Sequence, residues 1–392
     1  MKYRLFGAGM AAALSVFFLA GCENKEVLSG EPEQEREQPL VLLEDVARVL
    51  SGIPLERDQL DEVYDAARAS AGNGYDEEYR MRELFEDPGC GVGSAGSTKA
   101  GGYAHPLREL LREAVRSTKA AAVEDPDAWL DALSASDIQL YWPFSEAWDG
   151  DSQPVITFDP GGDVGQNEGY LLEGDGKLTK LLVTEEMARE RPVWVVNRNS
   201  DADYKTLEML RREDPAWGQG GGNLLITKAT QPAKDTRTLV LRSFKARRPH
   251  DSWLCGASEY FVKFVSVENV KISKEEELRL YDPSITDFMV IVRRGEVGQE
   301  ISLNTILVSE WGKQLTSCSM MIIEDDGGTK TSWKCSAMVK YNSKSYGFEV
   351  DLPYNQRDDI IWRGPLTKTY LEKNSGLSMN YGEVDLVMEL LE

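Results

Sequence analysis

The stretch Ser317-Cys318-Ser319-Met320-Met321-Ile322-Ile323-Glu324-Asp325-Asp326-Gly327-Gly328, running on through Thr329-Lys330-Thr331-Ser332-Trp333-Lys334-Cys335-Ser336, reads as two strands about a tight turn. Asp-Gly is a favoured pair for a two-residue type I′ turn, because both central residues need φ > 0. Folding about Asp326-Gly327 pairs Asp325 with Gly328, and stepping outward sets Cys318 opposite Cys335. Alternation along the ladder makes that a non-hydrogen-bonded pair, where two chains approach within disulfide reach. The spacing therefore predicts a Cys318–Cys335 bridge, worth about 3 kcal/mol.

Strand patterns continue on both sides of this hairpin. Leu239–Phe244, Tyr260–Val267, Asp287–Val292, Ser317–Glu324, Ser336–Tyr341, Tyr346–Val350 and Val384–Leu390 are short apolar or alternating runs separated by turn residues. No helix pattern competes, so residues 236–392 are expected to form an antiparallel β-sandwich. Upstream, Gly218 to Gly222 opens the best linker candidate. Residues 136–230 read as a β-rich mixed domain, with short runs at Ile138–Trp142, Val155–Phe158, Leu181–Val183 and Val193–Val196. One helix, about Tyr204 to Arg212, interrupts them.

Residues 40–135 carry the three- and four-residue spacing of helices. Leu40, Leu43, Ala47 and Leu50 form one stripe, and Leu60, Val63, Tyr64 and Ala67 form another. A short segment around Glu77 to Phe85 follows, and Pro106 opens a cleaner helix bearing Leu107, Leu110, Leu111, Ala114 and Val115. The fold class expected is α+β and multidomain: a small N-terminal helical unit, a β-rich middle domain and a C-terminal antiparallel sandwich.

The beginning of the chain says where the protein sits. Lys2 and Arg4 precede an apolar run from Leu5 to Ala20, which ends in Leu19-Ala20-Gly21-Cys22. That order is the secretory signal pattern, and the run is shorter than the ~20 residues of a spanning helix. The last four residues resemble the lipobox of bacterial lipoproteins. The resemblance implies that residues 1–21 are a lipoprotein signal peptide, cleaved before Cys22, and that Cys22 is the lipid attachment residue. Each buried acyl methylene contributes ~0.8 kcal/mol, so several chains anchor durably where one does not. Residues 22–39 form an acidic tether, with six glutamates, a proline and no aromatic residue between Glu23 and Gln38. Acidic residues directly after a lipidated cysteine also resemble surface-export signals, so an outer-membrane lipoprotein exposed at the cell surface is the expected placement.

The chain of 392 residues has 44 basic and 66 acidic side chains, a formal charge of -22. Such a balance excludes nucleic acid as a partner, since phosphate binding needs a basic footprint. It suits divalent cations or basic ligands instead. Besides Cys22 there are Cys90, Cys255, Cys318 and Cys335, an even number in an exported protein. With Cys318 and Cys335 assigned to the hairpin, Cys90–Cys255 follows by elimination. No CxxC metal pattern occurs.

Catalytic motifs are sparse. Gly91-Val92-Gly93-Ser94-Ala95-Gly96 matches GxGxxG but stands in a loop-like Pro/Gly/Ser region, not between a strand and a helix. His105 and His250 are the only histidines, and HExxH, GxSxG and P-loop patterns are absent. Trp142, Trp148, Trp194 and Trp217 would suit either a sugar cleft or an apolar core, and the core reading is favoured.

One acidic constellation stands out. Tyr281-Asp282-Pro283-Ser284-Ile285-Thr286-Asp287 runs into a strand, and Phe348-Glu349-Val350-Asp351 precedes Asp358-Asp359-Ile360-Ile361 and Gly364. Both stretches resemble the calcium loops of C2 domains. The resemblance implies a C2-like sandwich with calcium as cofactor, held by Asp282, Asp287, Asp351, Asp358 and Asp359, since hard calcium takes six to eight oxygens. Pro353 stands where a further aspartate would fall, and the segment before Gly364 is long.

The order of parts also resembles a family of exported bacterial proteins with a helical start, a β-rich middle and a C2-like end. Tyr141-Trp142-Pro143, Pro154-Val155-Ile156 with Phe158, Pro192-Val193-Trp194-Val195-Val196 and Glu324-Asp325-Asp326-Gly327 carry that likeness. The family supplies no activity to carry over. The function expected is a non-enzymatic, calcium-stabilised binding or interaction lipoprotein, with the lipid bilayer and a protein or glycan ligand as partners. A surface hydrolase acting on glycans or peptides, and a structural envelope component, are the rival readings.

Overall fold

Val193, Trp194, Val195 and Val196 are each 0% exposed. An apolar run without alternation marks a strand covered on both faces, and this one lies inside a six-stranded sheet. The computed structural model describes residues 41–86, 103–117, 125–162, 164–199, 204–213, 236–326 and 328–392. Cys22, Cys90, the Gly91–Gly96 loop, the linker glycines, Trp217 and Gly327 therefore lie outside the described residues, as do the signal segment and the tether.

In chain order the first half comprises α1 (Leu43–Ser51), α2 (Arg57–Gly72), β1 (Glu78–Arg80), α3 (Met81–Phe85), α4 (Leu107–Ser117), α5 (Pro126–Ser134), β2 (Ile138–Tyr141), β3 (Val155–Phe158), β4 (Gln166–Leu172), β5 (Leu178–Thr184), α6 (Glu185–Glu190), β6 (Val193–Arg198) and α7 (Leu207–Glu213). Local chemistry explains several boundaries. The Asp125 carboxylate accepts the Asp127 and Ala128 N–H groups, with Pro126 directly inside α5. Thr184 caps α6 in the same way through the Met187 N–H.

The sheet order is β1-β2-β6-β3-β4-β5, antiparallel except where β3 runs parallel to β6. Helical residues such as Val46, Leu50, Val63, Leu111 and Leu133 share one core with Trp142, Ile156, Trp194 and Val196 of the sheet region. The helices of residues 40–135 thus complete their core with the strands that follow. The segment around Glu77 to Phe85 divides, because Glu78–Arg80 pairs with β2 before α3 begins.

The second half comprises β7 (Thr236–Ala246), β8 (Ser258–Ser266), β9 (Ser284–Val292), β10 (Ile301–Gly312), β11 (Leu315–Glu324), β12 (Lys330–Tyr341), β13 (Lys344–Asn355), β14 (Asp359–Thr367), α8 (Lys368–Lys373), β15 (Ser378–Tyr381) and β16 (Val384–Leu391). Two antiparallel sheets result, one ordered β10-β7-β16-β15, the other β13-β12-β11-β8-β9 with β14 also on β11. Phe244, Leu241 and Leu386 of the first share an apolar core with Phe264, Met320 and Ile322 of the second. The fold is α+β with several antiparallel sheets. Helix α8 interrupts a segment expected to be all strand; Thr367 starts it by accepting the Tyr370 N–H.

The hairpin that opened the reading is a correction. β11 pairs with β12 only at Leu315↔Val339 and Ser317↔Met338. From Ser319 to Glu324 its neighbours are β8 and β14, and Cys318 stands opposite Leu366. Cys335 stands opposite Val350, and both Cys318 and Cys335 are free thiols. The physical cause is burial. Met320, Met321, Ile322 and Ile323 are at most 1% exposed, so β11 needs cover on both faces and full-length partners on both edges. β12 alternates instead and spends its length on β13. Asn342 and Ser343 both have positive φ, so the two-residue turn with type I′ dihedrals falls between β12 and β13.

Candidate functional site

One end of the second C-terminal sheet gathers acidic residues from separate segments. β11 ends at Glu324, which pairs with Tyr260 near the start of β8 and with Asp359 at the start of β14. The loop from β7 to β8 adds His250 and Asp251, and the turn joining β15 to β16 adds Glu383. Ser258 fixes that loop, its Oγ accepting the His250 N–H at 2.9 Å and the Asp251 N–H at 3.4 Å.

Within this end Asp251, Glu259 and Glu324 each offer a carboxylate oxygen, all within 4.8 Å of one another. Glu324 is 1% exposed. Its Oε1 and the Oδ2 of Asp251 have no hydrogen-bond partner. Burial, and then the adjoining Asp251 carboxyl, hold Glu324 far above the usual carboxylate range. Burial raises Asp251 as well. Asp326 is pushed up to about 6, by burial first and then by Asp251, Asp359, Asp358 and Asp325. Like charges this close favour a shared proton or a bound cation.

Among the described residues, Arg294 and His250 stand close to this end and face other partners as well. Arg294 donates through Nε to the Gly256 carbonyl at 3.1 Å and through Nη2 to the Asp251 carbonyl. The His250 side chain sits between Glu383, 3.0 Å from Nε2, and Asp359, 3.6 Å from Nδ1. The His250 ring thus lies between the start of β14 and the turn joining β15 to β16.

The five aspartates expected as calcium ligands do not converge. Asp358 and Asp359 lie at the acidic end, but Asp358 is spent on the chain itself. Its Oδ2 accepts the Asn355 N–H at 2.7 Å and its Oδ1 the Asp326 N–H at 3.3 Å. Asp351 lies on β13 and Asp287 on β9, the opposite edges of one sheet with three strands between them. Asp287 is ion-paired with Lys263 at 2.5 Å. Asp282 precedes Ser284, which pairs with Ser266, seven residues along β8 from Glu259 and hence about 23 Å away at strand rise. The stretch read as a loop from Asp359 is itself the strand β14.

Sequence reasoning missed Asp251, Glu259 and Glu324. For Glu324 a signal exists: it continues the alternate set Cys318, Met320, Ile322 onto the core-facing side of its strand. Asp251 offers none, because only the loop path brings it to Glu324.

A second group of buried carboxylates belongs to the junction of the two halves. Asp76 accepts the Ala257 N–H at 2.7 Å. Glu77 accepts the Phe144 N–H at 3.2 Å, the Ser145 N–H at 3.0 Å and the Ser145 hydroxyl at 2.8 Å. Those bonds hold Phe144 at φ 59, a left-handed conformation that a side chain resists. Burial, Asp76 and Glu146 push Glu77 up to about 9. Its oxygens are committed to that turn, so the Glu77–Glu146 contact is not built as a glycosidase dyad, whose carboxyls stand about 5 Å or more apart.

Of the tryptophans weighed for a sugar cleft, the described ones pack in or against the core. Trp142 and Trp194 are 1% and 0% exposed and meet edge to face at 5.7 Å, with Trp148 packed against Trp142. Comparison with known proteins yields no matching family model, curated protein or solved structure.

Proposed function

We propose that the chain is a lipid-anchored exported protein of binding type, non-enzymatic, held in a bilayer through acylated Cys22. On this reading its paired C-terminal sheets are a C2-like sandwich that presents an acidic end to a protein or glycan ligand. The observation that carries it is the convergence of Asp251, Glu259, Asp326 and Asp359 around the buried Glu324 at one end of the paired sheets. Side chains held on strand ends and braced loops form a pre-organised surface, which lowers the ordering cost of binding. Support for the anchor is Leu19-Ala20-Gly21-Cys22 behind a basic start and an apolar run. Among the described residues, Trp142 and Trp194 are buried and the oxygens of Glu77 are committed to a turn, which supports binding over hydrolysis.

Intact mass spectrometry of protein extracted from membranes tests the anchor. The expected product begins at Cys22 and carries acyl chains. A water-soluble product that retains residues 1–21 and an unmodified Cys22 overturns the proposal.

A further inference from the structure

Three carboxylates meet at this end of the sheet, and two of them, Glu324 and Asp251, each hold an oxygen without a hydrogen-bond partner. Glu324 ends a strand whose Met320, Met321, Ile322 and Ile323 are core residues, and it is itself 1% exposed. Its Oε1 is buried without a hydrogen-bond donor, and the Asp251 Oδ2 beside it is equally unpartnered. An orphaned buried carboxylate oxygen costs several kcal/mol unless something positive reaches it. Arg294 and His250 both stand near Asp251. One spends its guanidinium on backbone carbonyls and the other faces Glu383 and Asp359.

We infer that Asp251, Glu259 and Glu324 form a binding site for one hard divalent cation of the calcium class. The site lies apart from the five aspartates that the sequence singles out, and it stands whether or not Cys22 carries lipid. Its donors are all carboxylate oxygens, the ligand type of calcium and magnesium rather than of zinc or copper. The three oxygens lie within 4.8 Å of one another, a spacing that one cation bound at about 2.4 Å, the calcium distance, can bridge. The donors come from the β7–β8 loop, the start of β8 and the end of β11. Bound cation therefore ties that loop to the sheet and removes the repulsion between Glu324 and Asp251.

Terbium, a calcium surrogate, tests this on the full-length protein after chelator treatment at neutral pH, with Tyr260 and Trp253 as nearby light donors. The expected result is one sensitised terbium per chain, displaced by calcium. Glu324→Gln should lose terbium affinity a hundredfold or more while its melting temperature without calcium stays close to that of the parent, since glutamine matches the size of the side chain and brings no charge into the buried position. Should Glu324→Gln fail to fold, Asp251→Asn reports the same loss. The double variant Asp282→Asn, Asp351→Asn should bind as the parent does. Calcium at a hundredfold excess over its Kd should raise the parent's melting temperature by about 5 °C.

A melting temperature indifferent to millimolar calcium, with stability falling as pH rises, means that the two acids share a proton, and overturns the inference. Terbium binding that survives both Glu324→Gln and Asp251→Asn overturns it too, and loss in the double variant instead moves the cation to the other loops.

Discussion

Ser319 donates its hydroxyl to the carbonyl of Ser336 at 2.8 Å, so the residues that meet between β11 and β12 are the neighbours of Cys318 and Cys335. The two cysteines are paired along their ladders with Leu366 and Val350.

Both thiols should therefore remain reduced and silent in the native protein. Cys318 is 0% exposed and burial pushes its thiol well above the ordinary range; burial raises Cys335 also. Maleimide labelling without reductant should modify each only after unfolding in denaturant. A non-reducing digest that recovers a joined Cys318–Cys335 peptide would refute the register described for β11.

Asp358 should prove structural, not metal-binding. Asp358→Ala strips the acceptors from the Asp326 and Asn355 N–H groups and should cost about 1–3 kcal/mol in denaturant melts. Asp358→Asn, which keeps one carbonyl acceptor, should cost less. Terbium binding at Glu324 should persist in both.

Asn197 should govern how the first sheet grips the loop between β7 and β8. Its Nδ2 donates to the Leu254 carbonyl at 3.1 Å and the Cys255 carbonyl at 2.7 Å, and the residue is 1% exposed. Asn197→Ala should lower stability by about 1–3 kcal/mol. Hydrogen exchange should rise around Trp253–Ala257, and no change there would exclude this grip.

Glu77 should make the protein less stable as pH rises. Its native pKa is raised to about 9, whereas an unfolded glutamate titrates near 4.3. Between those values the folded state holds a proton that the unfolded chain has released, so stability falls with increasing pH and is greatest below the window. Glu77→Gln should flatten part of that fall in melts from pH 5 to 9. A slope unchanged from the parent would assign the dependence to other groups.

Much of the fold was legible. Val155–Phe158 is a strand with the expected bounds, and the stripe Leu107, Leu111, Val115 is buried along α4. These succeed because period and burial are local properties of the chain. The hairpin misled because Asp326-Gly327 has the right turn preference, yet a local turn preference yields to the burial of four consecutive apolar residues. Met320-Met321-Ile322-Ile323 carried that information, since a strand apolar on both faces is central.

The amino-acid sequence by itself determined the elements: which stretches alternate, which repeat every three or four residues, and where charge would keep the chain in water. Only the tertiary structure decided partners. Glu324, Asp251 and Glu259 meet because β11 lies against β8 and the preceding loop folds back over their ends. The physical reason is that strand pairing joins residues tens of positions apart, and its choice is set by the total apolar area covered rather than by any short run of sequence.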